Sequence, residues 1–352
     1  MSSKAPAVAG AGGPQPGGFP ARGRRTAGRR WATAAVAVLG VGFLALFLHR
    51  LSWAQVSRAW AHLPLPVLLL AVLLQGAFLG LRAARFQAMA RSRRGAGFWF
   101  APVAAYSMTC TVFPGGSGEL LLPVYLRPLG ISAGTGIGLA LGSRLLDVGW
   151  SAVLALGVAA WFLPDGARLP VVEGVLAAAG LLLAAAGLWA TRARWQPGLA
   201  AHLHARPQLA RFLSQAAAVF RGWGPAQLAG FSLLTLGMKA SAAAFYYVLA
   251  RGLGVPVGFT AVAAAMVLYS LFMVVPVQGV AGVGTSDAWW VLALSLVGVH
   301  LPSALLLALT FHLLNLAAVS IWSLAYWAGR LRPAVVAWRF SRGPDPEPPQ
   351  AG

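Results

Sequence analysis

The amino-acid sequence predicts an all-α polytopic membrane protein: six full transmembrane helices plus two re-entrant or broken helical segments, arranged as two inverted repeats. Three observations carry this prediction. Hydrophobic residues make up 59% of the 352-residue chain and charged residues only 10%, so a water-soluble globule of this composition would expose large apolar patches and aggregate. The apolar residues fall in runs of about 20, the length that crosses ~30 Å of hydrocarbon. The charges are lopsided, 27 Lys+Arg against 7 Asp+Glu. They also fall between the apolar runs rather than on one face, the pattern of topology signals and not of a nucleic-acid reader. The single cysteine, Cys110, excludes an internal disulfide framework and a multi-cysteine metal site, and no cofactor is expected.

Residues 1–30 are rich in Gly, Pro and Ala and end in Arg22, Arg24, Arg25, Arg29 and Arg30, a disordered basic cytoplasmic tail. The spans are 31–48, 65–81, 133–162, 171–190, 226–250 and 303–328. The first reads as an uncleaved anchor, because no small-residue cleavage site follows it. Two further apolar regions are broken. Region 98–126 is interrupted by Phe113-Pro114-Gly115-Gly116-Ser117-Gly118-Glu119, and region 260–299 by a Pro/Gly-rich run from Pro276 through Gly282, Gly284 and Thr285 to Asp287. Neither can be continuous helix through such a core. Unpaired backbone at membrane depth survives only where protein or water covers it, so both are read as re-entrant.

With the amino terminus inside, the tails, 82–98 and 191–224 hold most of the basic residues, Arg82 and Arg85 among them. Arg50, Arg58, Arg168 and Arg251 lie outside. That asymmetry places both termini in the cytoplasm of a multi-pass protein of the cell inner membrane. Residues 31–162 form the first half, with the re-entrant 98–126. Residues 163–330 form the second, with the re-entrant 260–299 and the cytoplasmic loop 191–224, and 331–352 form a cytoplasmic tail. Each half reads span, span, broken segment, span, starting from opposite sides. Paired interrupted helices in inverted halves point to a transporter with its site at the repeat interface.

Ionised groups at membrane depth cost about 2.5–3.5 kcal/mol on insertion scales and mark sites. Glu119, Arg144, Asp147, Lys239 and Asp287 are such groups. Arg144 and Asp147, three apart on one helix, can pair with each other; alternatively Arg144 clamps a phosphate with its guanidinium fork. Glu119 and Asp287 each follow a glycine loop, as helix caps or as headgroup contacts. Lys239 neutralises one of the acids, Arg127 sits at the inner mouth, and His312 joins the site from the last span. The loop residues of the candidate site are Pro114, Gly118, Pro276, Gly282 and Gly284. Trp289, Trp290, Trp322, Tyr326 and Trp327 read as interfacial anchors, and Gly76 and Gly80 as a close-packing pair.

At the two broken segments the sequence resembles the flippase-like transmembrane family typified by the membrane domain of lysylphosphatidylglycerol synthase, over about residues 31–330. The first signature is matched by Pro114…Gly118-Glu119, Gly130-Ile131-Ser132 and Arg144-Leu145-Leu146-Asp147. The second is matched by Pro276…Gly282-Val283-Gly284-Thr285-Ser286-Asp287 and Leu296-Val297-Gly298-Val299. The chain departs from the family pattern at Leu122, Ser143, Asp287 and His312, where Arg, an acid, Glu and Arg are usual. The resemblance implies translocation of a lipid or lipid-linked headgroup between leaflets, with membrane lipids (anionic phospholipid or isoprenoid-type) as partners. The family's aminoacyl-transferase domain has no counterpart here, so no enzyme activity is expected, and a membrane-embedded transferase has no nucleophile or metal set to support it. The alternative is a non-transporting accessory or scaffold protein for lipid or glycolipid biosynthesis, working with a separate lipid-synthesising enzyme.

Overall fold

The computed structural model describes residues 53–162, 207–221, 223–273 and 280–341, with a few residues between 172 and 180. The expectations for the tail 1–30, the span 31–48, most of the span 171–190, half of the loop 191–224, Pro276 and the last residues of the chain lie outside the described residues.

Helix α1 (Trp53–Ala61) is short. Helix α2 (Leu65–Met89) follows Pro64, whose extended backbone starts it. The apolar run of α2 ends at Leu81, but the helix does not. Ala and Arg are strong helix formers, and the helix continues for two more turns through Arg82 and Arg85. This corrects the placement of both arginines in a cytoplasmic loop: Arg85 is 0% exposed, inside the protein.

Helix α3 (Ala96–Val112) stops where Phe113 precedes Pro114. The proline forces its neighbour into extended backbone, here φ −81° and ψ 133°. A 3₁₀ stretch (Pro114–Leu121), a five-residue helix α4 (Leu122–Leu126) and a second 3₁₀ turn (Arg127–Leu129) complete the first broken region. An eight-residue 3₁₀ run is unusually long, since its hydrogen bonds are poorly aligned; such runs mark hinges and strained sequence. Then come α5 (Ala133–Phe162), α6 (Pro207–Ala218), α7 (Pro225–Gly252) and α8 (Phe259–Phe272). After a 3₁₀ turn (Val280–Gly282), α9 (Thr285–Leu296) and α10 (Leu301–Ser341) close the described chain. Both broken regions are therefore interrupted where the Pro/Gly runs predict.

Among the described residues four helices are long and apolar enough to cross a membrane: α2, α5, α7 and residues Leu301–Ala328 of α10. They coincide with four of the six expected spans. Among the described residues the fold is all-helical. Helix α2 lies against α7, α3 against α2 and α10, and α8 against α5, α7 and α9. One core joins Ala155, Leu249, Trp290 and Phe311; another joins Phe86, Trp99, Leu122 and Leu139. Large apolar side chains cover the outside as well, with Leu65 66%, Leu233 73%, Trp161 83% and Leu324 62% exposed. Exposing each to water forgoes about 1.5–3 kcal/mol, which a hydrocarbon surround restores.

Several aromatic residues are not interfacial anchors. Trp290 is 1% exposed and stacks on Tyr269 at 4.4 Å. Trp322 packs onto Gly76 and donates from Nε1 to the Val72 carbonyl (2.8 Å), while Gly80 faces open space. Tyr326 is buried, and Trp327 remains 45% exposed.

Candidate functional site

The two broken segments meet, with the 3₁₀ stretch 114–121 touching the 3₁₀ turn 280–282. Beside that meeting point a cavity of about 330 Å³ opens between α2, α3, α5, α7, α8 and α10. It is rich in polar groups for its depth: Arg82, Glu119, Arg144, Asp147, Lys239 and His312 all line it.

The local sequence explains how the walls are held. Gly118 lies so close to the end of α3 that a Cβ there would fall 2.7 Å from the Cys110 Cα. Only glycine lets the 3₁₀ stretch tuck under α3 and carry Glu119 to the cavity. In the second segment Gly282 (φ 71°) and Gly284 (φ 78°) adopt the left-handed backbone that turns the chain into α9. Asp287, at the third position of α9, reaches back and accepts from the Gly284 N–H at 3.0 Å, an acid satisfying an orphan donor at a helix start. Pro114 opens the first 3₁₀ stretch.

Among the described residues two ion pairs and one histidine–carboxylate pair organise the charges. Arg85 of α2 donates from Nη1 to Asp147 Oδ1 (2.6 Å) and from Nη2 to Oδ2 (3.0 Å). The same guanidinium donates to Ser143 Oγ (2.6 Å) and Thr235 Oγ1 (2.7 Å), so one buried side chain pins α2, α5 and α7 together. Glu119 Oε1 lies 3.1 Å from Arg144 Nη1, and Arg144 Nη2 donates to the Met273 carbonyl (3.1 Å) at the end of α8. Arg144 thus ties the first broken segment to the entrance of the second. His312 Nδ1 is 2.8 Å from Asp287 Oδ1, and its Nε2 is 2.7 Å from the Ala281 carbonyl.

The structure revises the sequence reading at several of these residues. Arg144 and Asp147 do not pair with each other: each turns from α5 to a different partner, Glu119 and Arg85. Among the described residues Lys239 is at ion-pair distance from no acid, its Nζ donating to Ser151 Oγ at 2.8 Å, and it acts on Asp147 from farther away. Arg127 is exposed on the short turn after α4 and does not line the cavity. Glu119 lies within a 3₁₀ stretch rather than capping a helix, while Asp287 caps α9, is buried, and does not line the cavity itself but holds His312, which does.

Sequence reasoning missed Arg82 and Arg85. Arg82 Nη1 donates to Ser107 Oγ (3.0 Å), and its guanidinium lies over the Tyr106 ring at 5.0 Å, a cation–π contact. The missed signal was the spacing Gln75, Phe78, Arg82, Arg85, a stripe at helical period on one face of α2.

Together these residues make a charged, partly enclosed chamber within an apolar shell. It can hold a polar group at membrane depth while apolar chains remain outside. No curated protein matches this chain. The family model for the lysylphosphatidylglycerol synthase TM region matches residues 31–323. With most of its length and the whole chamber inside that match, the chain belongs to the lysylphosphatidylglycerol synthase transmembrane-region family.

Proposed function

We propose that the chain moves a lipid or lipid-linked headgroup between the leaflets of the inner membrane, without catalysing a covalent step. The headgroup enters the chamber along Glu119, Arg144, Asp147 and His312 while the acyl or isoprenoid tails stay in the bilayer. In this reading the described helices belong to six spans in two inverted halves, both termini are cytoplasmic, and the broken segments are the moving parts. The lipid's own gradient, or protons carried by the acids, drives the movement. The observation that supports it best is the charged chamber at the meeting of the two broken segments. Such interrupted helices surround substrate sites in transporters built from repeats.

The test is leaflet exchange. The purified full chain is reconstituted in vesicles holding a fluorescent anionic phospholipid, and the label left after external quenching is followed with time. Exchange accelerates with the wild-type chain and falls back to the empty-vesicle rate with Glu119→Ala/Asp287→Ala. Equal exchange in wild type, variant and empty vesicles ends this reading. A second reading, a membrane accessory protein for a lipid-modifying enzyme, is favoured by one observation: both acids that line the chamber, Glu119 and Asp147, are already held by a basic partner. Under that reading Glu119→Arg with Arg144→Glu restores full function, because only the pairing matters.

A further inference from the structure

The charge in the chamber does not balance. Arg85 with Asp147 and Arg144 with Glu119 are each neutral pairs. The His312–Asp287 pair is neutral as well, by hydrogen-bond valence. The Ala281 carbonyl can only accept, so His312 Nε2 carries a proton. One further proton lies between Nδ1 and Asp287 Oδ1. Whether it sits on the ring or the carboxyl, the pair sums to zero. Among the described residues Arg82 and Lys239 have no carboxylate at ion-pair distance; Asp147 acts on both from farther away but is already paired with Arg85, so two positive charges remain in excess, and both line the cavity. Arg82 Nε is in addition buried with no hydrogen-bond partner.

Among the described residues no other acid restores the balance: Glu119 and Asp147 are the carboxylates that line the cavity, and Glu173 is exposed elsewhere. Two unmatched cations at membrane depth are costly unless an anion joins them. A guanidinium fork and a compact ammonium lining one cavity offer the donors that the tetrahedral oxygens of phosphate accept from.

We propose that Arg82 and Lys239 form a subsite for a phosphate-bearing, net-anionic headgroup that carries no ammonium group. The proposal rests on the translocation reading for its biological setting and deepens it by naming the substrate class. It also sets this chain apart from the lipid in its family's name. A lysyl headgroup brings ammonium groups, and no carboxylate in the chamber is free to receive them. They would stand against Arg82 and Lys239.

The test is calorimetric binding to the full chain in a neutral detergent at low salt. The probes are dihexanoyl phosphatidylglycerol, its lysyl ester, dihexanoyl phosphatidylcholine and inorganic phosphate. Phosphatidylglycerol is expected to bind at least about tenfold tighter than the lysyl ester or phosphatidylcholine. Arg82→Gln and Lys239→Gln should each weaken it by about tenfold or more, as the loss of a charged hydrogen bond does. Lys239→Arg, which keeps the charge, should bind within about threefold of wild type, so a structural role for Lys239 is separated from an electrostatic one. The proposal is overturned if the lysyl ester binds as tightly as phosphatidylglycerol. It is equally overturned if a glutamine variant that elutes as a folded monodisperse species binds unchanged. Inorganic phosphate binding as tightly as the lipid would assign the subsite to a free anion and overturn the lipid source. Because binding is read without transport, a wild-type chain that binds selectively yet exchanges nothing sinks the translocation reading and leaves the subsite standing.

Discussion

Two ion pairs in this protein have the same chemistry and opposite settings, and their removal should differ sharply. Arg85 is 0% exposed and loses both its charge partner and two hydrogen bonds if Asp147 becomes Ala. In soluble proteins, stripping one partner from a buried pair costs about 3–5 kcal/mol, since the remaining charge stays buried. Two features reduce that here. The Asp147 side chain is 32% exposed to the cavity, so water can replace part of it. The unfolded chain in a membrane also finds polar partners, which holds interhelical polar contacts to about 0.6 kcal/mol on average. Ser143 and Thr235 continue to accept from Arg85. We therefore expect Asp147→Ala to lose about 2–3 kcal/mol, roughly a hundredfold in the folding equilibrium. The partner pair Glu119–Arg144 has side chains 29% and 42% exposed, and pairs of that kind contribute about 0–1 kcal/mol. Glu119→Ala should therefore cost less than about 1 kcal/mol. Removing both members of the buried pair, Arg85→Met with Asp147→Leu, should recover at least half of the single-variant loss, because no orphan charge remains. The assay is reversible unfolding by titrated denaturing detergent, followed by circular dichroism. The reasoning fails if Asp147→Ala is as stable as wild type, if Glu119→Ala costs as much, or if the double variant is worse than the single.

Other expectations follow from the same geometry. Gly118→Ala places a methyl group against the α3 backbone and should lower stability by about 1–3 kcal/mol, read as a reduced melting temperature; an unchanged melting curve would mean the 3₁₀ stretch moves aside freely. His312→Ala removes the partner of Asp287 Oδ1 and of the Ala281 carbonyl. It should cost about 1–3 kcal/mol and speed proteolysis near the second broken segment, and cleavage kinetics identical to wild type would refute it. Cys110, the chain's single cysteine, lines the cavity. A small uncharged maleimide should label it, and short-chain phosphatidylglycerol should slow labelling severalfold, as mass spectrometry of the intact protein would show; no protection at saturating lipid would place the headgroup elsewhere.

The membrane elements were legible because they depend on length, apolarity and punctuation, which the sequence displays directly. Pro114 and the glycines around Gly282 and Gly284 break helices wherever they stand, and the chain is broken there. The partners of the charges were not legible in the same way. Residues three apart on α5 share a face, which brought Arg144 and Asp147 together on paper. What lies across from that face is decided by α2 and the first broken segment, and neither is local. Arg82 and Arg85 were lost for a related reason. Counting positive charges treats an arginine at the end of an apolar run as loop, whereas a helix ends only when its hydrogen bonds do. Trp290 and Trp322 illustrate the same limit, since a tryptophan suits a bilayer interface and a buried aromatic cluster equally well by composition.

The double engagement of Arg144 has a mechanical consequence. One guanidinium holds Glu119 of the first broken segment and the carbonyl that ends α8, just ahead of the second. The two segments are thereby coupled through a single side chain. A rotation about its bonds breaks both contacts at once, whereas the Ala281 carbonyl stays held by His312.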